Sequence, residues 1–424
     1  FAWENKAPGR NLDEALRQLQ GYSLALENPP LLVVCDRLTI RIHTQFNGHP
    51  SERHTIALAE LEQHETREKL KRVWTAPDSF KPRTTNRDIT EAAAKSFATL
   101  AERLRTRGNT PDAVAHFLTQ CLFCCFAEDV GLLPGQLFDR LINAKTMSPE
   151  RLGDNLGKLF EAMKSGGLFG VDDVPWFNGG LFQTIAVPRL DILDVTELRN
   201  AADKNWSAID VSIFGTLFER GLDPGKRSQL GAHYTDPATI ERIIDPVVRR
   251  PLLREWASAR ERMAALLKKS KKRDDKAWRD AVAQHVGFLQ RLAAYRVLDP
   301  ACGSGNFLYL ALKCLKDVEH LANTEAEALG LDRQVELATG PANVLGIELN
   351  EYAAELARVT VWIGELQWRL DHGYPFKTNP VLEPLDHIEC RDALIAWVPV
   401  RAEPVEAAAA AAAAEAVTSL PCPS

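Results

Sequence analysis

The first residues of the chain have the hydrophobic pattern of a strand, a helix and two further strands. Residues 1–6 are short and partly apolar, and apolar residues recur three or four positions apart over residues 11–26, which is the spacing of one helix face. Residues 31–35 form an uninterrupted apolar run after Pro29-Pro30, and residues 38–42 alternate, as expected for a buried strand and a partner strand. These patterns predict a small α/β layer.

The middle of the chain has mostly helical periodicity. The pattern predicts helices over 92–107, 110–130, 149–165 and 210–221, separated by Gly/Pro-containing breaks near 131–135 and 178–180. A longer helical stretch from residue 236 is expected to break near Pro246 and Pro251. Three cysteines at helical spacing, Cys121, Cys124 and Cys125, are typical of a helix core rather than of zinc ligands.

A strand–helix series begins near residue 295 and predicts a second α/β region. Within the preceding helical stretch, the basic run over 268–273 is more typical of a solvated helix end or loop than of a phosphate contact. Residues 401–424 contain eight consecutive alanines, and we expect a low-complexity tail without a core.

Composition narrows the class of protein. The 424 residues suggest two or three domains, and 51 Lys and Arg against 57 Asp and Glu give a net charge of −6. A nucleic acid would therefore have to be contacted by local patches. No apolar run reaches the roughly 18 residues of a membrane span. We expect no secretory signal, because residues 1–6 lack a charged start followed by an apolar stretch. The eight scattered cysteines fit a reducing cytoplasm. Residue 1 is not Met, so we expect a fragment of a longer gene product.

The most specific motif is the run from Val297 to Leu308, in which a strand ends in Asp299 and a Gly-rich turn opens a helix. Gly303 and Gly305 lack a Cβ, so a ligand can approach the backbone closely. A dinucleotide fingerprint would need a third glycine where Leu308 stands. The Asp299 carboxylate would repel a pyrophosphate, whereas it suits the cationic amino-acid end of S-adenosylmethionine.

Two further acids follow short apolar strands. Glu348 ends the strand that begins at Val344, the position at which a carboxylate accepts hydrogen bonds from a ribose diol. Residues 321–341 are interpreted as an insertion that lengthens the spacing from Asp299 to Glu348. Asp392 follows the third strand and could accept a hydrogen bond from an adenine amino group.

These residues resemble the N6-adenine DNA methyltransferases of restriction–modification systems. The resemblance implies that Glu348 and Asp392 bind the ribose and the adenine of S-adenosylmethionine. It also implies that the segment 231–237 packs over the methionine end of the cofactor; its Tyr234-Thr235 pair, taken alone, is only a helix cap. The cofactor-binding residues implied are Tyr234, Thr235, Asp299, Ala301, Gly303, Gly305, Asn306, Glu348 and Asp392.

The catalytic loop of that family, Asn/Asp-Pro-Pro-aromatic after the third strand, is absent from the sequence that follows Asp392. The only Asn-Pro-Pro is at residues 28–30, is followed by Leu31, and is interpreted as a loop. No catalytic residue for methyl transfer is therefore assigned. We expect the chain to bind the cofactor without catalysing methyl transfer.

Near the N-terminus, Glu4 and Lys6 lie two apart and so share one face of a strand. Gln18 and Tyr22 share one face of the next helix. This order resembles the PD-(D/E)xK nuclease domain of fused single-chain restriction–modification enzymes of the MmeI-like class (Type IIL/IIG). The resemblance implies nuclease remnant residues Glu4, Lys6 and Gln18, with Glu4 as a ligand for Mg²⁺, and an Asp partner that would lie before Phe1.

The sequence therefore predicts an α/β chain, truncated at both ends, with four parts. These are a partial PD-(D/E)xK nuclease domain (1–60), a helical spacer (61–225), the cofactor-binding half of a Rossmann-like class I methyltransferase (226–400) and an Ala-rich tail (401–424). The expected activity is methyl transfer from S-adenosylmethionine to adenine N6 in double-stranded DNA, in the cytoplasm and without a membrane. Two alternatives remain: a non-catalytic cofactor- or DNA-binding interaction protein, and an RNA or small-molecule methyltransferase.

Overall fold

A computed structural model describes residues 1–23, 26–144, 147–177, 179–211, 215, 237–332, 334, 336–376, 381–382 and 384–394. Residues 1–391 belong to one compact unit, and Asp392 begins a second. The predicted Ala-rich tail, the Tyr234-Thr235 pair and most of the predicted helix over 210–221 lie outside the described residues.

A four-stranded sheet with a helix against it forms the N-terminal layer. Its order is β1 (Ala2–Asn5), β2 (Leu31–Cys35), β3 (Thr39–Thr44) and β4 (Arg53–Ala57), with β1 parallel to β2 and the other pairs antiparallel. The helix α1 (Leu12–Tyr22) begins at the side-chain cap of Asn11 and packs its apolar face on the sheet. β2 is buried along its whole length, as its unbroken apolar pattern predicts.

Helices form the middle of the chain, with one short hairpin among them. They are α2 (His64–Thr75), α3 (Asn86–Thr106), α4 (Pro111–Asp129), α5 (Leu137–Ile142), α6 (Pro149–Ser165) and α7 (Ile192–Ala202), and the hairpin is β5 (Gly167–Phe169) with β6 (Asp172–Val174). α4 is buried on nearly all sides. Cys121, Cys124 and Cys125 are buried within it, which confirms that they are core residues.

The helical stretch after residue 236 does not break at its prolines, so that prediction was wrong. α8 (Pro237–Ile244) continues through a π-helical turn over Asp245–Arg249 into α9 (Arg250–Leu267). A wider turn can accommodate Pro246, which has no N–H to donate and would crowd a regular α-helical turn. α10 (Lys276–Ala293) then returns antiparallel to α9 and leads into the second sheet.

The second sheet is parallel and carries the candidate site. Its strands β7 (Val297–Asp299), β8 (Val344–Glu348) and β9 (Ile388–Cys390) are adjacent in chain order. α11 (Asn306–Ala328) connects β7 to β8, and α12 (Glu351–Asp371) follows β8. α11 extends through the first part of the segment interpreted as an insertion. Both helices pack on the sheet and on each other, as expected for a parallel α/β unit.

The second sheet is tied to the helical middle by polar contacts to α12. The His116 Nδ1 atom of α4 lies 2.7 Å from Glu355 Oε1. The Gln367 side-chain amide donates to the carbonyls of Ser207 and Ile209, both at 2.8 Å. The mixed α/β fold expected from the sequence is confirmed. In the part of the chain that the structure describes, no helix is long and apolar enough to cross a bilayer.

Candidate cofactor site

The turn between β7 and α11 is held by its own backbone and by the neighbouring strand. Asp299 Oδ1 accepts a hydrogen bond from the Ala301 amide at 3.0 Å, and the Gly305 amide donates to the Cys302 carbonyl at 2.9 Å. The Cys302 amide donates to the Ile347 carbonyl of β8 at 3.0 Å. The turn is therefore fixed to the strand that ends in Glu348.

Two glycines of the turn have left-handed backbone conformations, with φ of 50° at Gly303 and 87° at Gly305. A Cβ on Gly305 would lie 2.8 Å from Ala357 Cα of α12, so only glycine allows the turn to approach that helix. A Cβ on Gly303 would meet nothing within 4 Å. The space at Gly303 is open, as a ligand-binding turn requires.

Glu348 reaches across to this turn from the end of β8. Its Oε2 atom accepts a hydrogen bond from the Gly303 amide at 2.8 Å, and its Oε1 atom accepts one from the Asn350 amide at 2.9 Å. Asn350 in turn caps α12 by accepting from the Ala353 amide at 3.0 Å. Glu348 therefore lies beside the glycine turn, because parallel strands bring their carboxyl ends to one edge of a sheet.

Asp299 shares this edge with Glu348. Burial raises the pKa of the Asp299 carboxyl, the Ala301 amide opposes that rise, and the negative charge of Glu348 adds to it. Two acids at the mouth of the turn produce a negative local potential. Such a site suits a ligand with a positive charge and hydroxyl donors, and it disfavours a pyrophosphate.

The structure brings together six of the residues expected to bind cofactor: Asp299, Ala301, Gly303, Gly305, Asn306 and Glu348. Asn306 is the first residue of α11 and is buried. Asp392 begins the second compact unit, where its Oδ1 atom accepts from the Leu394 amide at 2.7 Å. Its place beside the other acids remains a prediction. Tyr234 and Thr235 lie outside the described residues.

Gly215 is a part of this site that sequence reasoning missed. A Cβ on Gly215 would lie 2.7 Å from both the Cβ and the carbonyl oxygen of Ser304, in the middle of the turn. Gly215 therefore lies directly against the cofactor turn. A glycine inside a predicted helix was the available signal, since such a glycine often has a packing reason.

A second group of predicted residues meets at the N-terminal sheet. The Lys6 ammonium lies 2.9 Å from Glu4 Oε1 and donates to Gln18 Oε1 at 2.7 Å. Both charged side chains remain partly exposed, at 28% for Lys6 and 29% for Glu4. Among the residues that the structure describes, no cluster of three or more His, Cys, Asp or Glu side chains is arranged to hold a metal ion.

The residues at the glycine turn fit S-adenosylmethionine in kind. Glu348 offers carboxylate oxygens to a diol, Asp299 offers a carboxylate to an ammonium group, and the open space over Gly303 admits a ligand. Each carboxylate oxygen can accept more than one hydrogen bond. The backbone contacts of Glu348 therefore leave capacity for hydroxyl groups.

Comparison with known proteins identifies the class of this arrangement. Residues 272–410 match the DNA-methyltransferase domain of MmeI, and residues 112–182 match the helicase spacer domain of MmeI. Both matches are therefore to domains of one class of enzyme, the MmeI type. The predicted resemblance to this class is confirmed.

Individual relatives agree with this class. The chain is 30% identical over 338 residues to DNA methyltransferase A of Bacillus subtilis (strain 168), a match that covers 73% of this chain and 35% of the relative. A solved structure of the Type IIL restriction-modification enzyme MmeI in complex with DNA matches with a TM-score of 0.61 and 27% identity. That match covers 72% of this chain and 40% of the solved chain. The chain therefore spans well under half the length of either relative.

Proposed function

We propose that this chain carries the cofactor-binding part of a site-specific DNA methyltransferase that uses S-adenosylmethionine and acts on adenine N6 in double-stranded DNA. The observation that carries the proposal is the hydrogen bond from the Gly303 amide to Glu348 Oε2 at 2.8 Å. It joins the acid after the second strand to the turn after the first strand. The matches to an MmeI-type methyltransferase domain support the same assignment.

Each residue has a distinct part in this proposal. Glu348 accepts hydrogen bonds from the ribose hydroxyls, Asp299 faces the ammonium group, and Gly303 and Gly305 let the ligand approach the backbone. Asp392 and the Tyr234-Thr235 pair are proposed contacts to the adenine and to the methionine end. When bound, S-adenosylmethionine supplies an electrophilic methyl group on a sulfonium. The protein's task here is to position that group and to exclude water.

The adenine preference and the activity of this chain rest on the family's catalytic loop. That loop binds the amino group of a flipped adenine through an amide, a carbonyl and an aromatic ring. The sequence after Asp392 contains no Asn/Asp-Pro-Pro-aromatic run. We therefore propose that this chain binds cofactor and DNA without methyl transfer. The same missing loop supports a second candidate function, in which the chain is a non-catalytic cofactor- or DNA-binding protein.

The N-terminal sheet is proposed to be part of a PD-(D/E)xK nuclease site. The contacts that join Lys6 to Glu4 and to Gln18 support it, because this chemistry uses a lysine beside a metal-bound carboxylate. Mg²⁺ needs a near-octahedral set of oxygen ligands. No described cluster around Glu4 provides three or more acidic ligands. These residues alone do not fit the metal, and no cleavage by this chain is proposed.

The cofactor proposal is tested by calorimetric titration of the full chain with S-adenosylmethionine and, separately, with NAD⁺. We expect S-adenosylmethionine to bind and NAD⁺ to give no saturable heat, because its pyrophosphate would face Asp299 and Glu348. NAD⁺ binding of equal or higher affinity would contradict the proposal.

The location we propose is the cytoplasm, in line with cysteines that remain free thiols throughout the described residues.

A further inference from the structure

The tip of the α9–α10 helix pair concentrates positive charge in an acidic chain. Residues 268–279 contain seven Lys and Arg against two Asp, whereas the whole chain has a net charge of −6. Six of these cations are exposed and form no ion pair with any residue that the structure describes: Lys268, Lys269, Lys271, Lys272, Lys276 and Arg279. We call these six residues the basic tip.

The backbone of the basic tip is rigidly built. The Asp275 carboxylate accepts hydrogen bonds from the backbone amides of Trp278, Lys271 and Lys272 at 2.8, 2.8 and 3.4 Å, and from Ser270 Oγ at 3.0 Å. These bonds, the one from Trp278 first, lower the pKa of Asp275 to about 2. Asp275 therefore stays ionised and stabilises the turn between α9 and α10. Both of its carboxylate oxygens already accept hydrogen bonds from this turn.

A second anchor fixes the tip to the segment that follows α11. The Arg273 guanidinium pairs with Asp332, beyond the end of α11, and lies 5.7 Å from the ring centre of Trp278. Arg273, the seventh cation, and Asp332 thus stabilise the fold of the tip. The remaining six cations stay available to a partner in solvent.

The placement of two of these cations is electrostatically unfavourable for the helix itself. Lys276 and Arg279 lie at the start of α10, where the helix dipole already places partial positive charge and where acidic residues are preferred. Lysines crowded in one turn also repel one another. A sequence selected only for stability and solubility would mix charges here, so the crowding points to an anionic partner.

We infer that the basic tip is a contact surface for the phosphate backbone of double-stranded DNA, separate from the cofactor crevice. The inference rests on the proposed function, since the DNA-methyltransferase assignment favours DNA over other polyanions. Lysines act on phosphates as point charges. The tip offers no exposed aromatic ring for stacking single-stranded bases, because Trp278 is covered by Arg273.

The basic tip lies at the end of α11 remote from the glycine turn. α11 begins at the turn and has 23 residues, so the two ends are about 34 Å apart. Trp256 of α9 donates to Glu325 near the far end of α11, which sets the two helices side by side. The contact therefore acts on DNA away from the target base. It adds affinity without reading sequence.

The test compares two fourfold variants of the full chain. One replaces four cations of the tip (K268Q, K269Q, K271Q and K272Q). The control replaces four exposed cations elsewhere that have no ion pair with the described residues (K81Q, R83Q, K95Q and K158Q). Fluorescence anisotropy with a labelled duplex of about 30 base pairs gives Kd between about 50 and 200 mM salt.

We expect the tip variant to bind duplex DNA at least tenfold more weakly than the control at low salt. We also expect its slope of log Kd against log salt to fall by roughly 2 to 3.5, since each phosphate contact contributes about 0.9. Equal affinities and slopes for both variants would overturn the inference. So would a loss confined to double-stranded RNA or to an acidic polypeptide probe.

Titration of the same samples with S-adenosylmethionine separates this inference from the proposed function. Unchanged cofactor affinity in the tip variant shows that the fold is intact and that the loss is local. Absence of cofactor binding in the unmodified chain would overturn the proposed function instead. If the chain binds cofactor and the two variants bind DNA equally, only the inference about the basic tip is overturned.

Discussion

The Gly303 amide, in the turn that follows β7, donates a hydrogen bond at 2.8 Å to Oε2 of Glu348, which ends the adjacent parallel strand β8. The same carboxylate accepts from the Asn350 amide, which begins α12. One side chain therefore links the turn before α11 to the start of α12. Loss of Glu348 would remove the proposed ligand contact and would also loosen the turn.

Replacement of Glu348 tests its proposed contact with the ribose. We expect Glu348→Ala to weaken S-adenosylmethionine binding by roughly 1.5–3 kcal/mol, about 10- to 150-fold in Kd, as is usual for a lost hydrogen bond to a charged group. Calorimetry measures the change. Glu351→Ala is the matched control, because Glu351 is an exposed acid in the first turn of α12. Equal affinities of the two variants would remove Glu348 from the site.

Replacement of Gly215 tests its contact with the cofactor turn. We expect Gly215→Ala to lower the Tm and to reduce the rise in Tm that S-adenosylmethionine produces, because the new Cβ would lie 2.7 Å from the Ser304 carbonyl oxygen. The control is Gly287→Ala in α10, where a Cβ meets nothing within 4 Å. That substitution should stabilise the helix by about 0.5–1 kcal/mol. A ligand-induced rise in Gly215→Ala equal to that of the unmodified chain would contradict this role.

Glu128 makes the stability of the helical middle depend on pH. Burial raises the pKa of Glu128 from 4.5 to about 7, the Asp139 amide opposes the rise, and the charges of Asp139 and Asp129 add to it. The folded chain then holds a proton that the unfolded chain releases. The free energy of unfolding therefore falls as pH increases from 4.5 to about 7.

Removal of this carboxyl should flatten that dependence. We expect Glu128→Gln to lose less stability than the unmodified chain between about pH 5 and about pH 8, measured by urea unfolding. Glu102→Gln, at an exposed position of α3, is the control and should keep the original pH dependence. If Glu128→Gln and Glu102→Gln lose stability in parallel, the Glu128 carboxyl does not hold the proton.

The chain should not methylate DNA under conditions in which it binds cofactor. The catalytic loop supplies several groups together, and loss of one such group alone costs about 10²–10³-fold in rate. The measurement is transfer of labelled methyl groups to unmethylated duplex DNA, followed by separation of the nucleosides. DNA methyltransferase A of Bacillus subtilis serves as the comparison enzyme. Label in N6-methyladenine above the enzyme-free background would show that other residues replace the loop.

The parts of the site that could be predicted from the sequence are local or follow from sheet topology. The β7–α11 turn is formed by consecutive residues and can be recognised in the sequence. Glu348 ends the neighbouring parallel strand, so the proximity of Glu348 to Gly303 follows from the order of the strands. The contact of Gly215 with Ser304 joins residues far apart in the chain. It depends on tertiary packing between distant residues, and a single glycine does not encode that geometry.

The limits of fold prediction have similar causes. α2 and β4 are largely exposed and so lack the apolar periodicity that marks an element. Pro246 and Pro251 indicated breaks, but a single π-helical turn accommodates the first proline and the helix continues. The burial of α4 on nearly all sides agrees with its apolar composition, although composition alone could not identify its partners.

α12 sets a fixed spacing between the two candidate sites. It begins three residues after Glu348, and beyond its other end a Cβ on Gly373 would lie 2.4 Å from the Arg17 carbonyl of α1, the helix that carries Gln18. Its 21 residues correspond to about 31 Å, or roughly nine base pairs of B-form DNA. The group formed by Glu4, Lys6 and Gln18 is thus connected to the cofactor turn by a continuous helix rather than by a flexible linker. Insertion of one helical turn into α12 would change that register by about 5 Å and rearrange both ends together.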